Sequence, residues 1–165
     1  MMKLDVGCGR KKRGDIGIDY YKDTSADIIA DAHYLPFPGE LFDEVTSTTV
    51  IEHSPNPLEF LKEQRRVLKK GGKIEVVTDN AQYYRWTVMK FHGLRHQNLQ
   101  RDHYTIFFPE GIVRLLKLAG FRNIRFEFWR DPRKLDILTV FLIKIGFWRE
   151  ESLFSHFKVV GFKIG

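Results

Sequence analysis

LDVGCGRKKRGDIGIDYY, residues 4–21, holds two strand-like runs with almost nothing between them. Asp5-Val6-Gly7-Cys8-Gly9 reads as a strand running into a glycine turn. Gly14-Asp15-Ile16-Gly17-Ile18-Asp19 reads as a second strand ending on a carboxylate. In a nucleotide-binding α/β unit a crossover helix separates two such strands. Here only Arg10-Lys11-Lys12-Arg13 stands in its place. Extended chain, at ~3.3 Å per residue, returns to the start of a neighbouring strand over that length but folds no useful helix on the way.

Outward from this stretch, strands and helices alternate. Asp27–Ala30 is a third short strand, followed by Asp31-Ala32 and Leu35-Pro36-Phe37, and Phe42–Ser47 is a fourth. Asn56-Pro57-Leu58-Glu59 starts a helix: Asn56 caps it, Pro57 takes the first helical position and Glu59 closes the capping box. Phe60, Leu61, Val67 and Leu68 recur at helical spacing, Lys69 and Lys70 suit the last turn, and Gly71-Gly72 stops it. Lys73–Thr78 is the next strand. Pro109 opens a second helix through Ile112, Leu115, Leu116 and Ala119, ended by Gly120. Ile124, Phe126 and Phe128 alternate with Arg125 and Glu127 as a half-exposed strand, and Phe157–Ile164 is one more. This order predicts an α/β fold with a largely parallel sheet and ligand chemistry at the strand C-termini. Two inserts break the rhythm: 79–108, rich in His, Arg and Tyr, and 132–156, which contains an almost all-round apolar helix at Leu135–Trp148.

A length of 165 residues, 43% hydrophobic and 14% aromatic, points to one packed domain over 1–165 rather than a disordered chain. The single cysteine, Cys8, excludes a disulfide framework and suits a reducing, cytoplasmic setting. The polar start predicts no signal peptide, and the apolar run at 137–143 is too short for a membrane span. A net charge of +6 tilts partners modestly towards anions.

Four chemical elements follow in order. The glycines of the first turn let the backbone approach a ligand closely. Asp19, at the end of the second strand, can accept two hydrogen bonds from a ribose diol. Asp31 ends the third strand as an acceptor for an exocyclic amine beside an apolar wall. Thr48-Thr49-Val50-Ile51-Glu52-His53 follows the fourth strand.

The segments DVGCG, the strand-end acid, DA..LPFP, FDEV…EH and RVLKKGGK together resemble the class I S-adenosylmethionine-dependent methyltransferases, in particular the small methyltransferase-domain group. The likeness is close over about 3–80 and looser through 108–124, where a Pro–helix–AGF pattern recurs. It implies a Rossmann-like seven-stranded sheet, mostly parallel, with Phe157–Ile164 antiparallel beside Arg122–Trp129. It implies S-adenosyl-L-methionine as cofactor. Gly7 and Gly9 would pass under its methionine part, with Asp5 bracing the turn and the amino group. Asp19 would hold the ribose hydroxyls with Tyr20 beside the adenosine. Asp31 would take the adenine amine, the Ala32 amide a ring nitrogen, and Thr48 would line the methionine side. A carboxylate at position 19 argues against a 2′-phosphorylated dinucleotide, which it would repel. The family also places helices before strand one and between the first three strands, all on one face of the sheet. This chain has no room for them, so that face would be bare, and a parallel sheet needs both faces covered. Leu135–Trp148 is the expected cover, with a second copy of the chain, in a homodimer, as the alternative.

Methyl transfer needs in-line positioning and, for a hydroxyl or protonated amine, a base. Histidine suits that task near neutral pH. His53, after the fourth strand, and His103, beside Asp102 in the first insert, are the candidates; their plainer role is structural hydrogen bonding. His92 and His96 have the i, i+4 spacing of a metal pair but no third ligand at a convincing position, so no metal site is expected. Arg85, Arg95 and Arg101 suit an anionic acceptor or merely a solvated surface, and Tyr83-Tyr84-Arg85-Trp86 suits core packing better than base stacking. No Asn-Pro-Pro-Tyr-like motif follows the fourth strand, which argues against amino-methylation of nucleic-acid bases by that geometry. No cysteine outside the turn is available to attack C5 of a pyrimidine. The expected acceptor is therefore a small molecule, or a glycan- or lipid-linked metabolite, methylated on oxygen or nitrogen. An RNA or protein acceptor is less favoured, and a non-catalytic cofactor-binding scaffold is the rival from a different class.

Overall fold

The computed structural model describes residues 1–83, 103–130, 144, 146 and 154–165. Among these, seven strands form one sheet: β1 (Lys3–Val6), β2 (Ile16–Asp19), β3 (Ile28–Ile29), β4 (Phe42–Thr48), β5 (Leu68–Asp79), β6 (Phe121–Arg130) and β7 (Phe154–Lys163). Their spatial order is β3-β2-β1-β4-β5-β7-β6. The first five pair in parallel, while β7 runs antiparallel to β5 on one side and to β6 on the other. The expected architecture, including the antiparallel member beside β6, is present. Chain order reverses between β1 and β4, which is where open α/β sheets bind ligands.

Helix α1 (Pro57–Val67) starts as its sequence dictates, with Asn56 Oδ1 accepting from the Glu59 amide at 3.3 Å. Glu59 pairs with Lys62 at 2.7 Å, so its carboxylate is drawn along the helix. The helix buries Phe60, Leu61, Gln64 and Val67. Burying each of these apolar side chains contributes about 1.5–3 kcal/mol. It ends earlier than the basic pair suggested. Leu68 is already extended and begins β5, so Lys69 and Lys70 lie in the strand, and Arg65 and Arg66 occupy the last helical turn. The Gly71-Gly72 pair instead marks a register shift: Phe42 pairs with Leu68 but Glu44 with Lys73. Helix α2 (Pro109–Leu118) buries Pro109, Ile112 and Leu116. β7 buries Phe157, Val159, Gly161 and Lys163 at period two. The ammonium of Lys163 donates to the Leu68 carbonyl at 2.6 Å, which satisfies a buried cation at the helix-to-strand corner.

No helix lies between β1 and β2 or between β2 and β3. The short linkers lie against the strands instead. Asp15 and Lys3 exchange two hydrogen bonds, at 2.8 and 2.9 Å, tying the returning linker to β1. Gly14 and Gly17 make the close fit feasible. A Cβ on Gly14 would stand 2.8 Å from the Lys3 carbonyl, and one on Gly17 would stand 2.7 Å from the Lys12 stem. Lys12 lays its methylenes over Gly17 and reaches Asp27 at 2.8 Å. Part of the basic run thus lays its apolar stem over Gly17 while its ammonium stays at the surface, paired with Asp27. Leu135–Trp148, the expected cover of the bare face, lies outside the described residues except for Lys144 and Gly146, which are exposed.

Candidate functional site

The turn after β1 is held by backbone bonds. The amides of Gly7 and Cys8 both donate to the Ile18 carbonyl, at 2.9 and 3.0 Å. Both glycines are left-handed, Gly7 at φ +67° and Gly9 at +56°, but their surroundings differ. A Cβ on Gly7 would meet Val50 Cγ2 at 2.3 Å, whereas one on Gly9 would have nothing within 4 Å. Gly7 therefore packs the turn against the segment after β4, while Gly9 leaves open space above it.

Asp19 is nearly buried and works locally as well as chemically. Its Oδ2 accepts from the Gly9 amide at 2.9 Å and its Oδ1 from the Tyr21 amide at 3.0 Å. Each oxygen keeps a second lone pair, so a diol can still be accepted. Asp5 is fully buried. Its Oδ2 accepts from the Arg13 amide at 2.6 Å, while Oδ1 has no hydrogen-bond partner. Burial pushes its carboxyl above the usual aspartate range, against the opposing pull of the Arg13 amide and the nearby cations. Tyr20 is exposed, edge-on to Tyr21. Asp31 is exposed, and its Oδ1 accepts from both the His33 amide and ring, at 2.8 and 2.7 Å. Burial alone would raise Asp31, but the His33 bonds outweigh it and hold the carboxyl low. The other His33 nitrogen meets Ser54 Oγ at 2.8 Å, linking the end of β3 to the turn after β4. Ala32 is half-buried, as is Thr48 at the end of β4.

These residues suit S-adenosylmethionine group by group. A buried carboxylate oxygen lacking a donor suits an ammonium, an open glycine cradle suits a thioether chain, and acids after two successive strands suit a ribose and an adenine amine.

A second cluster follows β4. A single 3₁₀ turn (Ile51–His53) carries Glu52 and His53. The amides of Tyr104 and Thr105 donate to the Glu52 carbonyl at 2.9 and 3.3 Å, which brings His103 alongside. The two imidazoles stand edge to face, 4.5 Å between centroids. Glu52 is buried; Thr78 Oγ1 donates to its Oε2 at 2.9 Å, and its Oε1 has no hydrogen-bond partner. Burial raises the Glu52 carboxyl above its usual range. The ligand atoms of Glu52, His53 and His103 lie within 4.8 Å of one another. The two histidines named from sequence are thus brought together although fifty positions apart. Asp102 lies outside the described residues, as do His92, His96, Arg85, Arg95 and Arg101. The sequence alone assigns Glu52 no role. An acid beside a candidate histidine, flanked by Ile51, was the available signal.

Residues 15–76 match a family described as the methyltransferase domain. An uncharacterized protein of Methanocaldococcus jannaschii is 30% identical over 138 residues, covering 75% of this chain and 65% of its own length, so the chain spans about two-thirds of that relative. Among solved structures, a SAM-dependent methyltransferase from Archaeoglobus fulgidus superposes with a TM-score of 0.72 at 19% identity, over 98% of this chain and 85% of its own. Phosphoethanolamine N-methyltransferase 2 of Haemonchus contortus, solved with S-adenosyl-L-methionine, does so at 0.64 and 16% identity, over 99% of this chain and 48% of its own. These likenesses show a Rossmann-like methyltransferase fold. The domain match covers residues 15–76, and the structural likeness extends a methyltransferase fold over nearly the whole chain.

Proposed function

We propose that the chain binds S-adenosylmethionine at the ends of β1 to β4 and transfers its methyl group to oxygen or nitrogen of a small-molecule, glycan-linked or lipid-linked acceptor in a reducing, cytoplasmic setting. The observation that carries this reading is the turn after β1, tied by Asp19, with the unpartnered Asp5 oxygen on the strand that leads into it and the open space at Gly9. When bound, the cofactor supplies a methyl group already activated on a sulfonium. Asp5 receives the ammonium, Asp19 the ribose hydroxyls, and Asp31 with the Ala32 amide the adenine edge; Tyr20 shields the adenosine. Thr48 lines the methionine side. His53 and His103 take the proton that an acceptor hydroxyl or ammonium must lose, and Glu52 orients them. The insert around 79–108 supplies the acceptor side. The solved Haemonchus neighbour, an N-methyltransferase whose name specifies a small phosphorylated amine, supports the acceptor class. The pairing of Lys12 with Asp27 weakens the case for an RNA acceptor held by the linker.

The test is incubation with methyl-labelled cofactor and a metabolite extract, following label and S-adenosylhomocysteine by mass spectrometry. Labelled product above an Asp19→Ala control supports the reading. Cofactor binding with no transfer from any fraction favours the scaffold instead.

A further inference from the structure

We propose that Glu52, His53 and His103 form a binding site for a borderline divalent transition metal of the Zn²⁺ class, with open positions facing the acceptor side.

Two imidazoles and one carboxylate are the ligand set of open, catalytic zinc sites, which keep further positions for water or substrate. Neighbouring donors on a tetrahedral ion with bonds of ~2.0–2.1 Å stand ~3.4 Å apart. The three side chains already place their ligand atoms within 4.8 Å, so side-chain rotation closes the remainder. Both rings are half-buried, which leaves an ion a route in.

The carboxylate supplies the independent observation. Glu52 is 1% exposed, and its two oxygens are treated differently. Oε2 is held by Thr78 Oγ1 at 2.9 Å, while Oε1 is buried with no hydrogen bond. An acid oriented through one oxygen and left open at the other is how an outer partner fixes a metal ligand. Burying such a group without a counter-charge is costly, and an ion removes that cost. The frame is fixed by backbone as well: the Tyr104 and Thr105 amides lock the segment carrying His103 onto the Glu52 carbonyl.

That an acceptor reaches these positions rests on the methyltransferase reading; metal binding itself does not. With an ion bound, the two imidazoles would serve as ligands in place of the base role they have in the metal-free protein. The metal would bind an acceptor oxygen directly and lower its pKa, so the proton leaves to solvent before the oxygen attacks the methyl carbon and the sulfur keeps the C–S electron pair.

The experiment uses tag-free, metal-stripped protein titrated with Zn²⁺ against a chromophoric chelator, and with Co²⁺ followed in the visible. One equivalent is expected to bind. His103→Ala should weaken affinity at least about tenfold, and Thr78→Val, which frees the carboxylate, roughly 10–100-fold. Glu52→Gln tests the third ligand, and circular dichroism shows whether it stays folded; His103→Ala, at a half-buried position, keeps the question answerable if it does not. Equal Zn²⁺ affinity in wild type and folded His103→Ala overturns the site, as does no binding to folded wild type. Calorimetry with S-adenosylhomocysteine runs in parallel. Cofactor binding without Zn²⁺ binding overturns only the metal site, whereas one equivalent of Zn²⁺ lost in His103→Ala, without cofactor binding, supports the site and overturns the transferase reading.

Discussion

The amide of Gly9 donates to Asp19 Oδ2 at 2.9 Å, so the acid that ends β2 holds the turn that ends β1. A ligand contacting Asp19 therefore acts on the same hinge as one lying over the glycines, and the two glycines of that turn should respond differently to a methyl group.

Gly7→Ala places a Cβ 2.3 Å from Val50 Cγ2 in a left-handed backbone, so it should cost stability by roughly 2–4 kcal/mol from overpacking and backbone strain. Gly9→Ala meets nothing within 4 Å, so only the left-handed backbone is penalised, at about 1–2 kcal/mol. Its methyl group occupies the space assigned to the cofactor. Thermal melts and S-adenosylhomocysteine titration of both variants check this: the larger loss of melting temperature belongs to Gly7→Ala and the larger loss of affinity, relative to stability, to Gly9→Ala.

Asp5 should show opposite effects on stability and binding. Its raised carboxyl pKa means the folded protein keeps the proton to higher pH than the unfolded chain. That contribution is fully present below the ordinary aspartate range near ~4 and is lost as pH rises from there through the raised value. Asp5→Asn carries no such charge and keeps an oxygen for the Arg13 amide. Its melting temperature relative to wild type should therefore climb as pH rises from ~4 towards neutrality, while affinity for S-adenosylhomocysteine falls because the ammonium loses its counter-charge. A flat difference in melting temperature across that range, or unchanged affinity, would count against both roles.

For the histidine pair, His53→Ala or His103→Ala should reduce turnover by roughly 10²–10⁴-fold with cofactor affinity retained. Steady-state kinetics with an acceptor found in extracts decide it. Full turnover in both variants would leave positioning as the whole of the chemistry.

The strands were legible because alternation and strand-end acids survive in short segments, and the start of α1 because Asn56 and Pro57 act locally. The end of α1 was not. Lys69-Lys70-Gly71-Gly72 has the composition of a helix terminus, yet Leu68 is drawn into β5 by pairing with Phe42, a contact 26 positions away. β3 is two residues rather than the four of Asp27–Ala30: the Asp27 and Ala30 amides still donate to the Gly17 and Asp19 carbonyls, but the Gly17 amide is taken by the Asp27 carboxylate instead of a backbone carbonyl, which breaks the ladder there. Glu52 was overlooked for a similar reason. Its burial and its orientation come from Thr78 and from the 104–105 backbone, none of which is near it in sequence. Lys12 covering Gly17 likewise depends on how the shortened linker folds back.

Calorimetry with S-adenosylhomocysteine decides whether the acids after β2 and β3 hold the cofactor. Wild type should bind one equivalent. Asp19→Ala and Asp31→Ala should each weaken binding by about 1–3 kcal/mol, roughly 5- to 150-fold, because each leaves cofactor donors unpaired. Asp19→Ala should also lower the melting temperature, since it frees the Gly9 and Tyr21 amides. Affinity unchanged from wild type in both folded variants would mean that neither acid holds the cofactor.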